Sequence, residues 1–369
     1  MKLKIAIAGT RGIPNHYGGY EQAVTFLSEG LVKKGHAVTV YNSHHHPYKE
    51  KKWNGVEIIH CYDPEKKIGT AGQFLYDLNC IRHARKQEFD ILLFMGYTSS
   101  SAWGWMFPKQ SIVISNMDGL EWKRSKYSKP VRFFLKYAEK LAIRFSQYHI
   151  ADSVAIKKYL DEKYGISSRF IPYGANSSPI ISADNLTEFN TRQGAYYLLI
   201  ARMEPENNIE MILDGYVASG SVDKFLVIGN TRNSYGKKLV QKYSANKTIH
   251  FAGALFDQQK LDNLRAFCKL YFHGHSVGGT NPSLLEAIAA GCGIAAHQNE
   301  FNEAVLGNDA SYFSTPGDVS RIIRTEIPGE IKTQRKKAGM NKIKELYNWQ
   351  HITDQYEMFL LQCYMTRQA

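Results

Sequence analysis

The chain has 369 residues, 44% of them hydrophobic and 22% charged, which is enough for two ordinary domains with their own cores. That composition excludes a disordered or low-complexity chain, and no apolar run reaches the ~18 residues needed to cross a bilayer. The formal net charge of +12 favours an anionic partner such as a nucleotide, a lipid headgroup or nucleic acid, without choosing among them.

The first predicted element is a strand, "KLKIAIAG", whose apolar stretch is too short for a secretory signal and runs directly into a glycine turn. In "GTRGIPNHYGGYE" the full dinucleotide fingerprint is missing, so "GTRG" carries little weight. Gly18 and Gly19 precede a helix predicted from Glu21 to Lys34 and form a phosphate-facing turn. Strands follow at "AVTVYN", "VEIIHC", "FDILLFMG", "SIVISN" and "YHIADS". Consecutive histidines do not easily share one metal, so His44 to His46 read as a solvated loop.

Between the last two of these strands lies a basic segment. Lys123, Arg124, Lys126, Lys129, Arg132, Lys136, Lys140 and Arg144 stand against Glu121 and Glu139, interleaved with Phe133, Phe134, Leu135, Tyr137 and Leu141. This pattern suits an anionic membrane surface or, equally, a solvated face over a core stripe.

The seam is expected in "FIPYGANSSPIISADN", giving domains at 1–173 and 174–345, with a terminal helix at 346–369 docking back toward the first. The second domain has strands at "AYYLLIAR", "KFLVIGN", "TIHFAG", "KLYFHGH" and "GIAAHQ", with a helix predicted from Leu261 to Cys268. This alternation predicts two Rossmann-like α/β halves with parallel sheets covered on both faces, and a ligand site at the strand carboxyl ends, in the cleft between them.

Two loops of the second half carry chemistry. Arg202 follows a strand, where its guanidinium can hold a diphosphate bidentately. In "HGHSVGGTNPSLLEAIAAG", Asn281 or Thr280 suits the N-cap, Pro282 the first helical position and Gly291 the stop. Free N–H groups at that helix start make an anion site, which Gly278 and Gly279 let a ligand approach closely. Ser283 and Glu286 share a helix face, and a carboxylate one turn beyond a phosphate site is placed to accept ribose hydroxyls, unless it is an ordinary surface residue. No D-x-D triplet occurs, so no catalytic metal and no cofactor are expected.

"SVGGTNPSLLEAIAAG" resembles the nucleotide-sugar loop of retaining GT-B glycosyltransferases of family 4. "GTRGIPNHYGGYE" and "DGLEWKR" are similar to a subgroup containing bacterial rhamnosyltransferases. The resemblance covers nearly the whole chain and implies the GT-B fold, with two Rossmann-like domains facing across a cleft. It also implies transfer of a sugar, L-rhamnose from dTDP-rhamnose, to a lipid-linked saccharide in cell-surface polysaccharide synthesis, with retention. Glu286 matches the second glutamate of the family's E-x7-E, which holds the ribose. Gly278 stands where the first glutamate would contact the sugar, and Asn207 where a lysine often follows the arginine matched by Arg202.

On this reading Asp118 and Arg202 are the catalytic candidates. Asp118 binds or orients the acceptor, acts as base if the reaction inverts, or merely forms a turn with Gly119. Donor contacts fall to Gly18, Gly19, Arg202, Asn207, Gly278, Gly279, Thr280, Asn281, Ser283 and Glu286, and acceptor contacts to Tyr20, Glu21, Glu121, Trp122 and Arg124. The expected partners are a nucleotide sugar, a lipid-linked saccharide and an anionic membrane surface, but no nucleic acid. The scattered Cys61, Cys80, Cys268, Cys292 and Cys363 fit a reduced, cytoplasmic setting, at the inner face of the membrane. The rival readings are an epimerase of the same fold and a non-catalytic nucleotide-binding partner.

Overall fold

The computed structural model describes residues 1–16, 18–124, 127–176, 179–183 and 186–368. Tyr17 of the glycine turn, Lys126 of the basic segment, and Ser177, Ser178, Asp184 and Asn185 of the seam lie outside the described residues. The chain forms two compact units: Met1–Trp122, Tyr127–Tyr173 and Trp349–Ala369 make the first, and Lys123–Lys126 with Gly174–Asn348 make the second.

In the first unit, short runs rich in Ile, Val, Leu and Phe become the central strands, and shorter, more exposed strands lie at the edges. In chain order they are β1 (Lys4–Ala8), β2 (Ala37–Ser43), β3 (Lys52–Trp53), β4 (Val56–Cys61), β5 (Ile91–Met95), β6 (Ile112–Met117), β7 (Tyr148–Ala151) and β8 (Arg169–Phe170), with β5 and β6 buried along their whole length. The sheet order is β3-β4-β2-β1-β5-β6-β7-β8, parallel throughout except for the β3–β4 hairpin. Asn54 and Gly55, at φ 45° and 85°, make the left-handed turn that a two-residue hairpin demands. The terminal helix Trp349–Gln368 buries Ile352, Tyr356, Leu360 and Cys363, a stripe at helical spacing. It lies on the helix Gly19–Lys33, where Phe26 stacks on Trp349 at 4.8 Å and a Cβ on Gly30 would sit 2.7 Å from Thr353.

The second unit holds β9 (Tyr196–Ile200), β10 (Lys224–Ile228), β11 (Ile249–Gly253), β12 (Leu270–His273), β13 (Ile294–His297) and β14 (Ser311–Phe313). All are parallel, in the order β11-β10-β9-β12-β13-β14. This is the dinucleotide-fold order, which reverses between its first and fourth strands and opens a crevice at their carboxyl ends. Tyr197, Phe225 and Phe272 form an aromatic core under the sheet, with centroids 5.5–6.0 Å apart.

The strand runs read from sequence all form. The predicted helices form as Gly19–Lys33 and Gln258–Phe267. The short strands β3, β8 and β14 were not anticipated, because two or three residues show no alternation.

One buried group makes the first unit sensitive to pH. Asp77, on the helix Gly72–Ala84, is 3% exposed and accepts a hydrogen bond from Ser99 Oγ at 2.5 Å. Burial pushes its carboxyl up to about 7, against the pull of Ser99. Unfolded chain releases this proton near pH 4 while folded chain retains it to about pH 7, so stability falls as pH rises across that window. Asp77→Asn should therefore raise the thermal midpoint more at pH 8 than at pH 4. An equal gain at both values would show the carboxyl is not held protonated.

Candidate functional site

In the second unit the strand order reverses between β9 and β12, and the two loops that leave these strands are bolted together. Ser276 donates from both its backbone N (3.1 Å) and its Oγ (2.8 Å) to the carbonyl of Glu206. Asn208 Nδ2 donates to Gly274 O at 2.8 Å. A Cβ on Gly274 would lie 2.0 Å from Asn207 O, so only glycine permits this approach. The turn after β9 is thereby seated on the first residues of the loop after β12.

This seating places Arg202. Its side chain is exposed and makes no ion pair among the described residues, while its carbonyl accepts from Asn207 Nδ2 at 2.7 Å. Asn207 is 5% exposed, so the expectation that it touches a donor is corrected: it closes the turn that presents Arg202. Arg124 NH1 lies 3.7 Å from the buried carboxylate of Glu206. Arg124 falls with the second unit, beside Glu206. Burial, then Arg202 and Arg124, hold the His275 imidazole down at about 3, so it stays neutral.

The helix Pro282–Ala289 starts as expected: Asn281 Oδ1 caps it by accepting from Ser283 N at 3.0 Å, and Gly291 ends it at φ 70°. Its free donors are not where the sequence put them. Pro282 has no N–H, Asn281 Oδ1 takes that of Ser283, and Asn281 O takes those of Leu284 and Leu285. The cap satisfies the helix start, and in the loop before it the N–H groups of Gly278 and Gly279 bond to no other described residue. Gly278 sits at φ 139°, a conformation closed to residues with a side chain, which accounts for glycine where the family resemblance anticipates glutamate. Thr280 is buried at the base of the loop.

One turn into the helix, Glu286 is held by a residue not anticipated from sequence. Arg265, 1% exposed, donates NH2 to Glu286 Oε2 at 2.5 Å and to Ser283 Oγ at 3.3 Å, and NH1 to Asp262 Oδ1 at 3.0 Å. Tyr271 OH pairs with Ser283 Oγ at 2.9 Å. The Ser283 hydroxyl is thus spent inside the unit, correcting its assignment as a donor contact. Glu286, with 13% of its side chain exposed, keeps Oε1 without a hydrogen-bond partner among the described residues. The signal available was Asp262 and Arg265, spaced i, i+3 beside the buried Leu261 and Leu264.

In the first unit the reversal falls between β1 and β5. Gly18 is the N-cap of the helix Gly19–Lys33 and no side chain caps it. Tyr20 OH is buried without a hydrogen-bond partner among the described residues. A Cβ on Gly96, just after β5, would lie 4.0 Å from Tyr20 OH and 3.9 Å from Asp118 Oδ1, so these two candidates converge. Glu21 is 4% exposed and accepts from Arg11 N at 3.0 Å. It braces the loop after β1 and does not face an acceptor, a further correction.

Trp122 Nε1 donates to Glu139 Oε2 at 3.0 Å, and Lys136 and Lys163 lie 5.0 and 5.7 Å from its ring centre. Its indole N–H is committed to Glu139, and two cations stand near its half-buried ring. Glu139, buried, also receives Tyr159, Lys163 and Tyr164 at 2.5–2.8 Å. Glu121 lies on the short turn beside it, its Oε1 3.4 Å from a Cβ placed on Gly119. His46 is likewise committed locally, accepting from Tyr48 N at 3.2 Å and meeting Pro14 O at 3.1 Å.

Arg265→Met tests the buried network. It leaves Asp262 and Glu286 without their cation and should cost about 3–5 kcal/mol in denaturant unfolding. A loss within experimental error would show the pair is not desolvated.

Residues 2–176 match a family described as a domain of unknown function, DUF1972. A stretch of 59 residues is 41% identical to an uncharacterized 42.6 kDa protein in the cps region of Klebsiella pneumoniae; it covers 16% of this chain, which spans 16% of that relative. Among solved structures, sucrose-phosphate synthase from Thermosynechococcus elongatus aligns over 99% of this chain and 100% of its own, at 18% identity and a TM-score of 0.81. Anabaena HepE, in complex with UDP and glucose, aligns over 98% and 100%, at 14% identity and a TM-score of 0.75. The chain has the fold of these proteins, the two-domain α/β GT-B fold.

Proposed function

We propose that the chain is a glycosyltransferase that uses a nucleotide-sugar donor in cell-surface polysaccharide synthesis. The observation that carries this reading is the convergence at the reversal of the second sheet. There an exposed Arg202 and the N–H groups of Gly278 and Gly279, which bond to no other described residue, lie on two loops locked together, and a Glu286 oxygen left over from Arg265 stands on the helix that follows. A diphosphate suits the guanidinium and amides, and a ribose diol suits the carboxylate. The HepE complex with UDP and the cps-region relative agree with such a donor and pathway.

Charge builds on the nucleoside diphosphate as the glycosidic bond breaks. Fixed donors aimed at it stabilise the transition state by about 3–4 kcal/mol each. Arg124, beside Glu206, supplies a second cation in place of the lysine absent at Asn207. In a retaining front-face reaction the leaving phosphate takes the acceptor proton, and Asp118 with Tyr20 orients the acceptor. The resemblance of the loops favours rhamnose from dTDP-rhamnose and no metal.

The acceptor is proposed to be lipid-linked. No helix among the described residues is long and apolar enough to cross a membrane. The helix Lys129–Phe145, however, exposes Phe133 (77%) and Tyr137 (53%) amid Lys129, Arg132, Lys136, Lys140 and Arg144. Its only acid, Glu139, is buried. Such a face suits a peripheral contact with anionic lipid, at ~1 kcal/mol per cation.

A panel of nucleotide sugars assayed with lipid-linked saccharide should give transfer from one donor. Arg202→Ala should lower kcat about 100- to 1,000-fold, and Glu286→Gln should mainly raise the donor KM. Unchanged rates in both variants, or an epimerised donor formed without acceptor, would contradict the reading. Phe133→Ser combined with Lys140→Glu should abolish flotation with phosphatidylglycerol vesicles, and undiminished flotation would remove the membrane contact.

A further inference from the structure

The second unit carries a cavity at the opposite ends of its strands from Arg202 and Gly278. It opens where β12 and β13 begin, at Leu270 and Ile294, beneath the helix Gly329–Lys342. Its volume is about 190 Å³, room for roughly a dozen water-sized groups. The floor is apolar: Leu270, Ile288, Ile294 and Leu306 are each under 10% exposed. Gly339 brings the helix down on Ile288, to which a Cβ would approach within 2.9 Å. One face of that helix then overhangs the cavity with Lys332, Arg335 and Lys336, positions one turn apart.

The charges do not balance. Asp309, the single acid of the lining, is engaged by Lys342 at 2.7 Å, and Lys269 is engaged by Asp223 at 2.6 Å. Lys332 and Lys336 make no ion pair or hydrogen bond among the described residues, and Arg335 reaches only the neutral Ser311 Oγ at 3.4 Å. Three cations without carboxylates thus stand over an apolar recess. A solvated charged face explains lysines, but it does not explain a recess beneath them whose floor is greasy and whose rim has one sign.

We propose that this cavity is a second ligand site, taking a soluble amphipathic anion: a phosphate, carboxylate or sulfonate carried on an apolar body. The anionic group sits among Lys332, Arg335 and Lys336, and the body covers Leu270 and Ile294. The helix Pro282–Ala289 runs from the glycine loop at one end to Ile288 beside this cavity at the other, so the two sites share a rigid element but no residue. The assignment does not depend on the identity of the donor.

The test is calorimetric titration of the full chain with hexyl phosphate and with anilinonaphthalene sulfonate, beside inorganic phosphate. The first two should bind with one-to-one stoichiometry and inorganic phosphate far more weakly. Lys332→Glu with Lys336→Glu should weaken binding by about tenfold or more. Thr333→Trp, at an exposed position on the rim, should block it. Lys337→Glu with Lys344→Glu makes the same charge change outside the lining and should leave binding intact, and UDP should not displace the probe. Equal weakening in the control pair, displacement by UDP, equal affinity for inorganic phosphate, or displacement by phosphatidylglycerol vesicles would overturn the proposal.

Discussion

The second unit depends on a guanidinium taken out of water. Arg265 is 1% exposed and holds Asp262, Ser283 and Glu286 from one planar fork. Removing such a cation from solvent is costly, and the attraction of two carboxylates with good geometry is what offsets it. The arrangement fixes Glu286 in one rotamer, with Oε2 occupied and Oε1 open. A carboxylate pre-set in this way binds a diol without first losing side-chain freedom. Because Glu286 lies one turn into the helix that follows the glycine loop, the same network fixes that helix relative to β12 through Tyr271 and Ser283.

A second constraint is backbone contact. Glu206 O receives two hydrogen bonds from Ser276, and Gly274 admits Asn207 O at a distance that no side chain would allow. These contacts join the strands at which the sheet order reverses, where doubly wound sheets leave room for a ligand. The first unit repeats the logic with other residues. Gly9 and Gly96, at φ 87° and 93°, let the chain leave β1 and β5 closely, and a Cβ on Gly9 would sit 2.7 Å from Met95 O.

The α/β character and the positions of the long strands were legible in sequence, because buried parallel strands read as continuous apolar runs and their ends as Gly, Asn or Ser. The Asn281–Pro282 helix start was legible for the same local reason. What escaped was tertiary. Whether Glu21 faces solvent or braces Arg11 N is decided by how the loop after β1 folds back, and no spacing encodes that. Trp122 was expected at the acceptor, and the bond from its Nε1 to Glu139, seventeen residues on, is a tertiary contact that no spacing announces. The N–H groups of the helix start were expected to be free, but an effective cap consumes them, so the sequence feature that located the helix also shifts the proposed anion contact onto the loop. Arg265 went unnoticed because a charged residue in a helix is ordinarily solvated, and only the packing shows it buried.

The central claim is that the loop Gly278–Asn281 and the anchored Glu286 receive a nucleoside diphosphate. A crystal of the chain soaked with dTDP or UDP tests it most directly. The diphosphate should lie within hydrogen-bond distance of Gly278 N, Gly279 N and the Arg202 guanidinium, with a ribose hydroxyl on Glu286 Oε1. A nucleotide bound elsewhere, with Glu286 Oε1 still bare, would contradict it.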